Sequence, residues 1–253
     1  EETGDFAGSK PDREALKPAT ARRSGGFMPV PEFELVIGDK NWSSWSLRPW
    51  LLMRQAGIPF TETRIRLRRE DTKAQILPHS PTGFVPALKW RGVVIGDSLA
   101  ICETIADLFP AKNLWPTDSI PRALARSAAA EMHSGFQDLR RDMPMAVLER
   151  HPGAGHTEEA LANARRIVAL WRGLRHRFGR QAIEDQGFLF GRFSITDAMY
   201  APVVLRFETY GVDLASLGDD GTVRAYMDAV FTLPSMQDWI AGAKAEEKAK
   251  ADG

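Results

Sequence analysis

The chain has 253 residues, 43% of them hydrophobic and 26% charged, the balance of a soluble globular protein long enough to bury a core without staples. Its 33 lysines and arginines cancel its 33 aspartates and glutamates, so no global field draws it to nucleic acid or to an anionic membrane. A single cysteine, Cys102, excludes an intrachain disulfide and any CxxC redox or zinc pair.

The first 32 residues are polar and contain no hydrophobic stretch of signal-peptide length. No apolar run approaches the ~20 residues that span a bilayer. A cytoplasmic protein is expected, with residues 1–32 a flexible extension outside the fold. "FELVI" (Phe33 to Ile37) reads as a buried strand. A helix is expected from about Ser46 to Ala56, with Pro49 tolerable only in its first turn and Gly57 as its stop. "FTETRIRL" (Phe60 to Leu67) alternates in strand fashion, which makes a strand–helix–strand unit with parallel pairing.

"FVPALKW" and "VVIGD" flank Arg91-Gly92, a two-residue hairpin turn. Pro86 inside the first of these strands cannot donate to a ladder, so it marks either an edge strand or a cis peptide beside a ligand. Ser98 is expected to cap a helix that ends at Pro110 and carries Cys102, Ile105, Ala106 and Phe109 on one face. Cys102 is there a buried small hydrophobe rather than a reactive thiol. Up to this point the order is β-α-β, an irregular segment, then β-β-α.

"AKNLWPTDSIP" (Ala111 to Pro121) reads as a linker, and beyond it the pattern is helical. One long helix is expected from Ser119 towards Arg141. A second starts at Thr157 with Leu161, Ala164, Val168, Trp171 and Leu174 on one stripe. Ser194 with Asp197, and Ser235 with Asp238, stand at capping-box spacing. The last residues, "AKAEEKAKADG", read as a solvated tail.

Four motifs stand out: "SSWSLRPWLL" at the first helix, "VPAL" before the hairpin, "DS" opening the next helix, and "SITDAMYAP" in the helical part. In this order and near this spacing they resemble the glutathione S-transferase family, over roughly Phe33 to Ile240. The resemblance implies an α/β N-terminal thioredoxin-like domain (β-α-β-α-β-β-α) over 33–112 and a linker over 113–118. An all-α helical bundle domain over 119–240 and the tail 241–253 would follow. It also implies glutathione as co-substrate, a small hydrophobic electrophile as its partner in the reaction, and a homodimer.

Within that resemblance, Ser43 matches the first serine of the "SSCS" run found in serine-type, zeta-like members. Trp45 stands where those have cysteine, a departure that touches that class's isomerase chemistry. Ser43 or Ser44 would hold the glutathione thiolate, a role that a hydroxyl and a helix N-terminus suit because both favour the anion over the thiol. Plain N-capping is the alternative use of these serines. Trp42, Trp45 and Trp50 would pack against the second domain, with walling of the sulfur site the alternative for Trp42. Val85, before Pro86, would offer its backbone to the cysteinyl part of the peptide, and Asp97 and Ser98 would take the γ-glutamyl end.

Met132, His133, Phe136 and Arg140, with Met143 and Met145, are the candidates for an electrophile pocket between the domains; core or dimer contacts are the alternative. Ala128, Ala129, Ala130 and Gly135 would permit close helix approach, to a partner chain or within the bundle. The histidines show no metal-ligand spacing, and no metal site is assigned. The activity implied is conjugation to small electrophiles. A glutathione-dependent isomerase, dehalogenase or etherase is the alternative, as is a non-catalytic binding module of the same fold.

Overall fold

A computed structural model of the chain describes residues 32–251. All but the last residue of the expected N-terminal extension lies outside the described residues. The first strand, β1 (Phe33–Gly38), points Phe33, Leu35 and Ile37 into one apolar cluster and Val36 into another. Both faces of the strand are covered, which is why its sequence is nearly all apolar.

Helix α1 (Ser44–Gln55) crosses back, and β2 (Thr61–Ile65) lies parallel to β1. A short helix α2 (Thr72–Ile76) precedes the antiparallel pair β3 (Ala87–Trp90) and β4 (Val93–Gly96). Arg91 and Gly92 turn between those strands with φ of 46° and 79°, the left-handed pair that a two-residue hairpin needs. Sheet order is β2-β1-β3-β4, and helix α3 (Ser98–Leu108) follows.

Three expectations in this half are corrected. Helix α1 begins at Ser44, so Pro49 is its sixth residue and lies beyond the first turn. Pro86 precedes β3 instead of standing within it, and β3 is flanked by β1 and β4, which removes the edge-strand explanation; the Val85–Pro86 peptide is cis. The residue that caps α3 is Asp97, whose Oδ1 accepts from the amides of Leu99 (2.9 Å) and Ala100 (3.0 Å), whereas Ser98 is the first helical residue and is buried.

The rest of the described chain is helical: α4 (Ser119–Ser134), α5 (Gln137–Asp142), α6 (Glu158–Leu174), α7 (Ile195–Tyr210), α8 (Thr222–Phe231) and α9 (Pro234–Ala251). The single helix expected from Ser119 to Arg141 is broken, because Gly135 leaves helical geometry and Phe136 has φ of 57°. On α6, Ala164, Val168, Trp171 and Leu174 form the buried stripe, and the Thr157 hydroxyl accepts from the Ala160 amide at 3.2 Å.

Asp197 accepts from the Ser194 amide and hydroxyl, both at 2.9 Å, as its spacing suggests. Ser235 makes no such box. Its hydroxyl donates to Gln55 Oε1 at 2.8 Å and so ties the start of α9 to the end of α1.

The expected tail is the second half of α9, where Ala243 is fully buried and Glu246 is 6% exposed. Lysines and glutamates spaced along a helix hide its contact face from a reading by composition. Ala128 and Ala129 are buried, and the close approach that they allow is made inside the chain, to α7: the Tyr200 hydroxyl donates to the Ala128 carbonyl at 3.1 Å. Among the described residues no helix is long and apolar enough to cross a membrane.

Helix α7, buried on almost every side, packs against α1, and Trp50 of α1 meets Trp239 of α9 edge-on at 5.1 Å. The apolar cluster is therefore continuous from the sheet into the helices. The turn between β1 and α1 rests on this seam.

Candidate active site

The turn at 39–43 is built by close approach. A Cβ on Gly38 would fall 2.5 Å from Leu67 Cδ1 and 3.0 Å from Ser43 Cβ, so only glycine lets the serine come this near the end of β1. Two amides, of Trp42 and Ser43, donate to the Asp39 carbonyl at 3.1 and 2.8 Å. The helical half grips the same turn. Glu246 of α9 accepts from the Lys40 amide (2.9 Å), Trp239 Nε1 donates to the Lys40 carbonyl (2.9 Å), and Asn41 Oδ1 accepts from the Leu148 amide (3.0 Å).

No side chain caps α1, and its first turn holds no acidic residue. The Ser43 hydroxyl turns inward and donates to Ser46 Oγ at 2.7 Å, while Ser46 Oγ also accepts from the Gly38 amide at 3.1 Å. Ser43, the N-cap residue, is thus not used as a side-chain cap. The positive end of the helix is left for something else.

That end opens into a cleft of about 530 Å³ lined by Trp42, Ser43, Ser44 and Trp45 on one side and by Thr82 and Val85 on the other. The structure brings the serines and Val85 together here. The third side holds Arg69 and Lys73, from the segment that looked irregular in the sequence. Lys73 has no ion-pair partner among the described residues, and the Arg68 guanidinium stacks 3.9 Å from the centre of the Trp42 ring. These basic residues were hidden among other charges in "RLRREDTK", where spacing gives no sign of a common target. A second cleft of about 500 Å³, between Trp115, Phe178 and Phe190, holds none of the candidate residues.

Asp97 and Ser98 lie at the junction of β4 and α3, close to Thr82: a Cβ on the adjoining Gly96 would come 3.2 Å from the Thr82 methyl. Asp97 has φ of 70°, an unfavourable backbone for a residue with a side chain. Its Oδ2 meets His133 Nε2 of α4 at 3.1 Å, so it spans the two halves of the chain as well as capping α3. Ser98 Oγ accepts from Arg48 Nη1 at 3.5 Å. Arg48 is 1% exposed and lies 4.1 Å from the centre of the Trp45 ring, one turn along α1 from Ser44. The Arg140 guanidinium is 5.0 Å from the same ring, and His133 meets its edge at 5.4 Å.

The apolar wall expected of Met132, Phe136, Met143 and Met145 is corrected by these positions. All four are buried in the continuous core, with Met132 and Met143 fully so: α4, which carries Met132, packs against α7, and Phe136, Met143 and Met145 lie in the turns flanking α5. Only His133 and Arg140 of the four main candidates stand at the surface, beside Trp45. Cys102 is fully buried, and burial pushes its thiol well above the ordinary range, so it supplies no nucleophile.

Known proteins share this fold. The family model "Glutathione S-transferase, N-terminal domain" matches residues 42–108, and "Glutathione S-transferase, C-terminal domain" matches residues 154–229. The maleylacetoacetate isomerase of Rattus norvegicus is 27% identical over 175 residues, 68% of this chain and 76% of that protein. Glutathione S-transferase 1 of Dianthus caryophyllus is 28% identical over 180 residues, 68% of this chain and 77% of that protein. Among solved structures, a glutathione transferase homolog from Burkholderia GL BGR1 with bound glutathione superposes with a TM-score of 0.60 at 21% identity, covering 84% of this chain and 98% of that one. With the two family models spanning both halves of the described chain, it belongs to the glutathione S-transferase family.

Proposed function

We infer that this protein is a glutathione transferase in which Ser43 holds the thiolate for attack on a small electrophile. One observation carries the reading: α1, uncapped by any side chain, opens with two serines into a cleft bordered by Val85. An anion at that place is favoured by the helix dipole and by a hydroxyl donor, and both lower the pH at which a bound thiol ionises.

To do this Ser43 turns the proton that it donates to Ser46 Oγ at 2.7 Å towards the sulfur. The peptide would then run past Val85, with its γ-glutamyl end towards Ser98 and Asp97. Arg69 and Lys73 stand where the glycyl carboxylate would be neutralised. Two copies of the chain would form the working unit, as the family resemblance implies.

The test is calorimetric titration with glutathione beside an assay of its conjugation to chlorodinitrobenzene, each repeated on Ser43→Ala and Ser44→Ala. Binding with conjugation that collapses in Ser43→Ala supports the reading. Absence of glutathione binding would end it, and binding without conjugation of any electrophile in a broad panel would leave a binding module of the same fold.

A further inference from the structure

The segment between α5 and α6, residues 143–157, forms neither helix nor strand, and its backbone groups are met from two sides. On one side lie the last turns of α7. Arg206 Nε donates to the Met143 carbonyl, the Tyr210 hydroxyl to the Pro144 carbonyl and the Thr209 hydroxyl to the Ala146 carbonyl, each at 2.9 Å. The His151 and Gly153 amides donate in turn to the Thr209 and Tyr210 carbonyls at 2.7 and 2.9 Å. Those carbonyls end a helix and have no intrahelical partner, so the segment becomes a strap fixed along the end of α7.

On the other side is Asn41. Its carbonyl accepts from the Val147 amide at 3.2 Å, its Oδ1 accepts from the Leu148 amide at 3.0 Å, and its Nδ2 donates to Glu149 Oε1 at 3.4 Å. The other oxygen of Glu149 meets His151 Nε2 at 2.8 Å. Asn41 is 3% exposed and lines neither cleft. Beyond it the turn bonds to itself, since the Trp42 and Ser43 amides return to the Asp39 carbonyl. Among the described residues, Asn41 is thus the last point before Ser43 where hydrogen bonds tie the turn to the helical half.

We propose that Asn41 is a positioning residue for thiolate formation: held by the strap, it fixes where Ser43 and the first amides of α1 face the sulfur. The inference rests on the glutathione reading above, adds a residue to it, and holds for either serine. Ser43 has little freedom of its own, with its hydroxyl 2.7 Å from Ser46 Oγ and its Cβ pressed against Gly38. A hydrogen bond weakens steeply as its geometry opens, and a displacement of about 1 Å can cost about a hundredfold in rate. Binding is less exposed to such a shift, because Val85, Arg69 and Lys73 reach the cleft from other segments.

The variants are Asn41→Ala, Asn41→Asp, and Asn41→Asp joined to Glu149→Gln, with Glu149→Gln alone as the control. Asn41→Asp keeps an acceptor for the Leu148 amide but turns a carboxylate onto that of Glu149. Adding Glu149→Gln lets an amide donate back across the same gap. Glutathione affinity is measured by calorimetry, the ionisation of the bound thiol by the ultraviolet absorbance of the thiolate, and kcat with chlorodinitrobenzene.

Asn41→Ala should lower kcat roughly tenfold and raise the ionisation of the bound thiol by about one pH unit, the scale of one hydrogen bond to a charged group. Glutathione affinity should stay within about threefold of wild type, since no group of the cleft is removed. Asn41→Asp should do at least as much damage, the double variant should regain most of both losses, and Glu149→Gln alone should change little. A residue that merely supported the fold would lower the melting temperature and leave the thiol ionising where it did.

An unmoved ionisation in Asn41→Ala overturns the proposal. So does an affinity loss as large as the loss in kcat, or a double variant no better than Asn41→Asp. Should Asn41→Ala not fold, Glu149→Ala decides, because Glu149 is 35% exposed and its removal breaks only the outer bond of the chain. A thiol that ionises in that variant as in wild type overturns the proposal as well. Failure of the wild type to bind glutathione takes down both readings; glutathione binding with the same ionisation in every variant takes down only this one.

Discussion

Replacing Arg48 by methionine should make the ligand-free protein more stable. Burial, aggravated by Arg140 and Arg206, pulls its guanidinium down from the ordinary arginine range to about 9. At about 1.4 kcal/mol for each factor of ten in acidity, keeping the charge there at neutral pH costs about 5 kcal/mol. The sign is that of a base with a depressed folded value: the cost vanishes above the unfolded value and is fully present once the pH has fallen below the folded one.

Against this stand the stacking on Trp45, worth about 1–2 kcal/mol, and the 3.5 Å bond to Ser98, worth about 1 kcal/mol. Methionine fills a similar volume without the charge, so a net gain of about 2 kcal/mol is expected, or a melting temperature higher by roughly 4–8 °C. Thermal denaturation in dilute buffer free of carboxylates and phosphate measures it. A melting temperature below that of wild type would refute the claim that this cation lacks a partner in the free protein.

Ser43→Ala should move the titration of the bound thiol to higher pH and cost roughly ten- to a hundredfold in conjugation rate, with Ser46→Ala intermediate; a larger effect in Ser44→Ala would reassign the thiolate. A chain ending at residue 240 loses Ala243 and Glu246, so it should unfold at least about 3 kcal/mol more easily and bind glutathione less tightly. Unchanged affinity in that truncation would show that the Lys40 turn holds itself. Lys73→Met should weaken glutathione roughly three- to tenfold at low salt and less at high salt; a loss indifferent to salt would exclude a charge contact. Cys102 should resist thiol reagents in the native protein, because they need the thiolate that burial suppresses; rapid labelling without unfolding would contradict its placement.

Where the chain announces its shape through local rules, the expectations hold. "FELVI" and the Arg91-Gly92 turn declare themselves by apolar patterning and by backbone geometry that few other residues adopt. The Ser194–Asp197 pair declares itself by spacing. Of the candidate site, Ser43, Ser44, Trp42 and Val85, all picked out in the sequence, line one cleft.

What stayed hidden depends on facing. Met132 and His133 are neighbours in sequence, yet one is core and the other meets the edge of Trp45, and a break at Gly135 and Phe136 decides where the next turn points. Arg48 reads as an ordinary helical arginine until α7 closes over it. The contact face of α9 disappears behind its lysines and glutamates for the same reason.

The grip of α9 on the Lys40 turn bears on how such chains can be recombined. The residues that would meet the sulfur are encoded before position 50, but the turn that leads to them is held by Trp239 and Glu246, 199 and 206 positions after Lys40. A hybrid that took its first half from this protein and its second from a relative would inherit the serines without the brace that aims them. Gly242 sharpens the point, since any side chain there would meet Lys40 Cδ at 2.6 Å. The opening turn and the closing helix form one heritable unit, and a functional chimera would have to carry both.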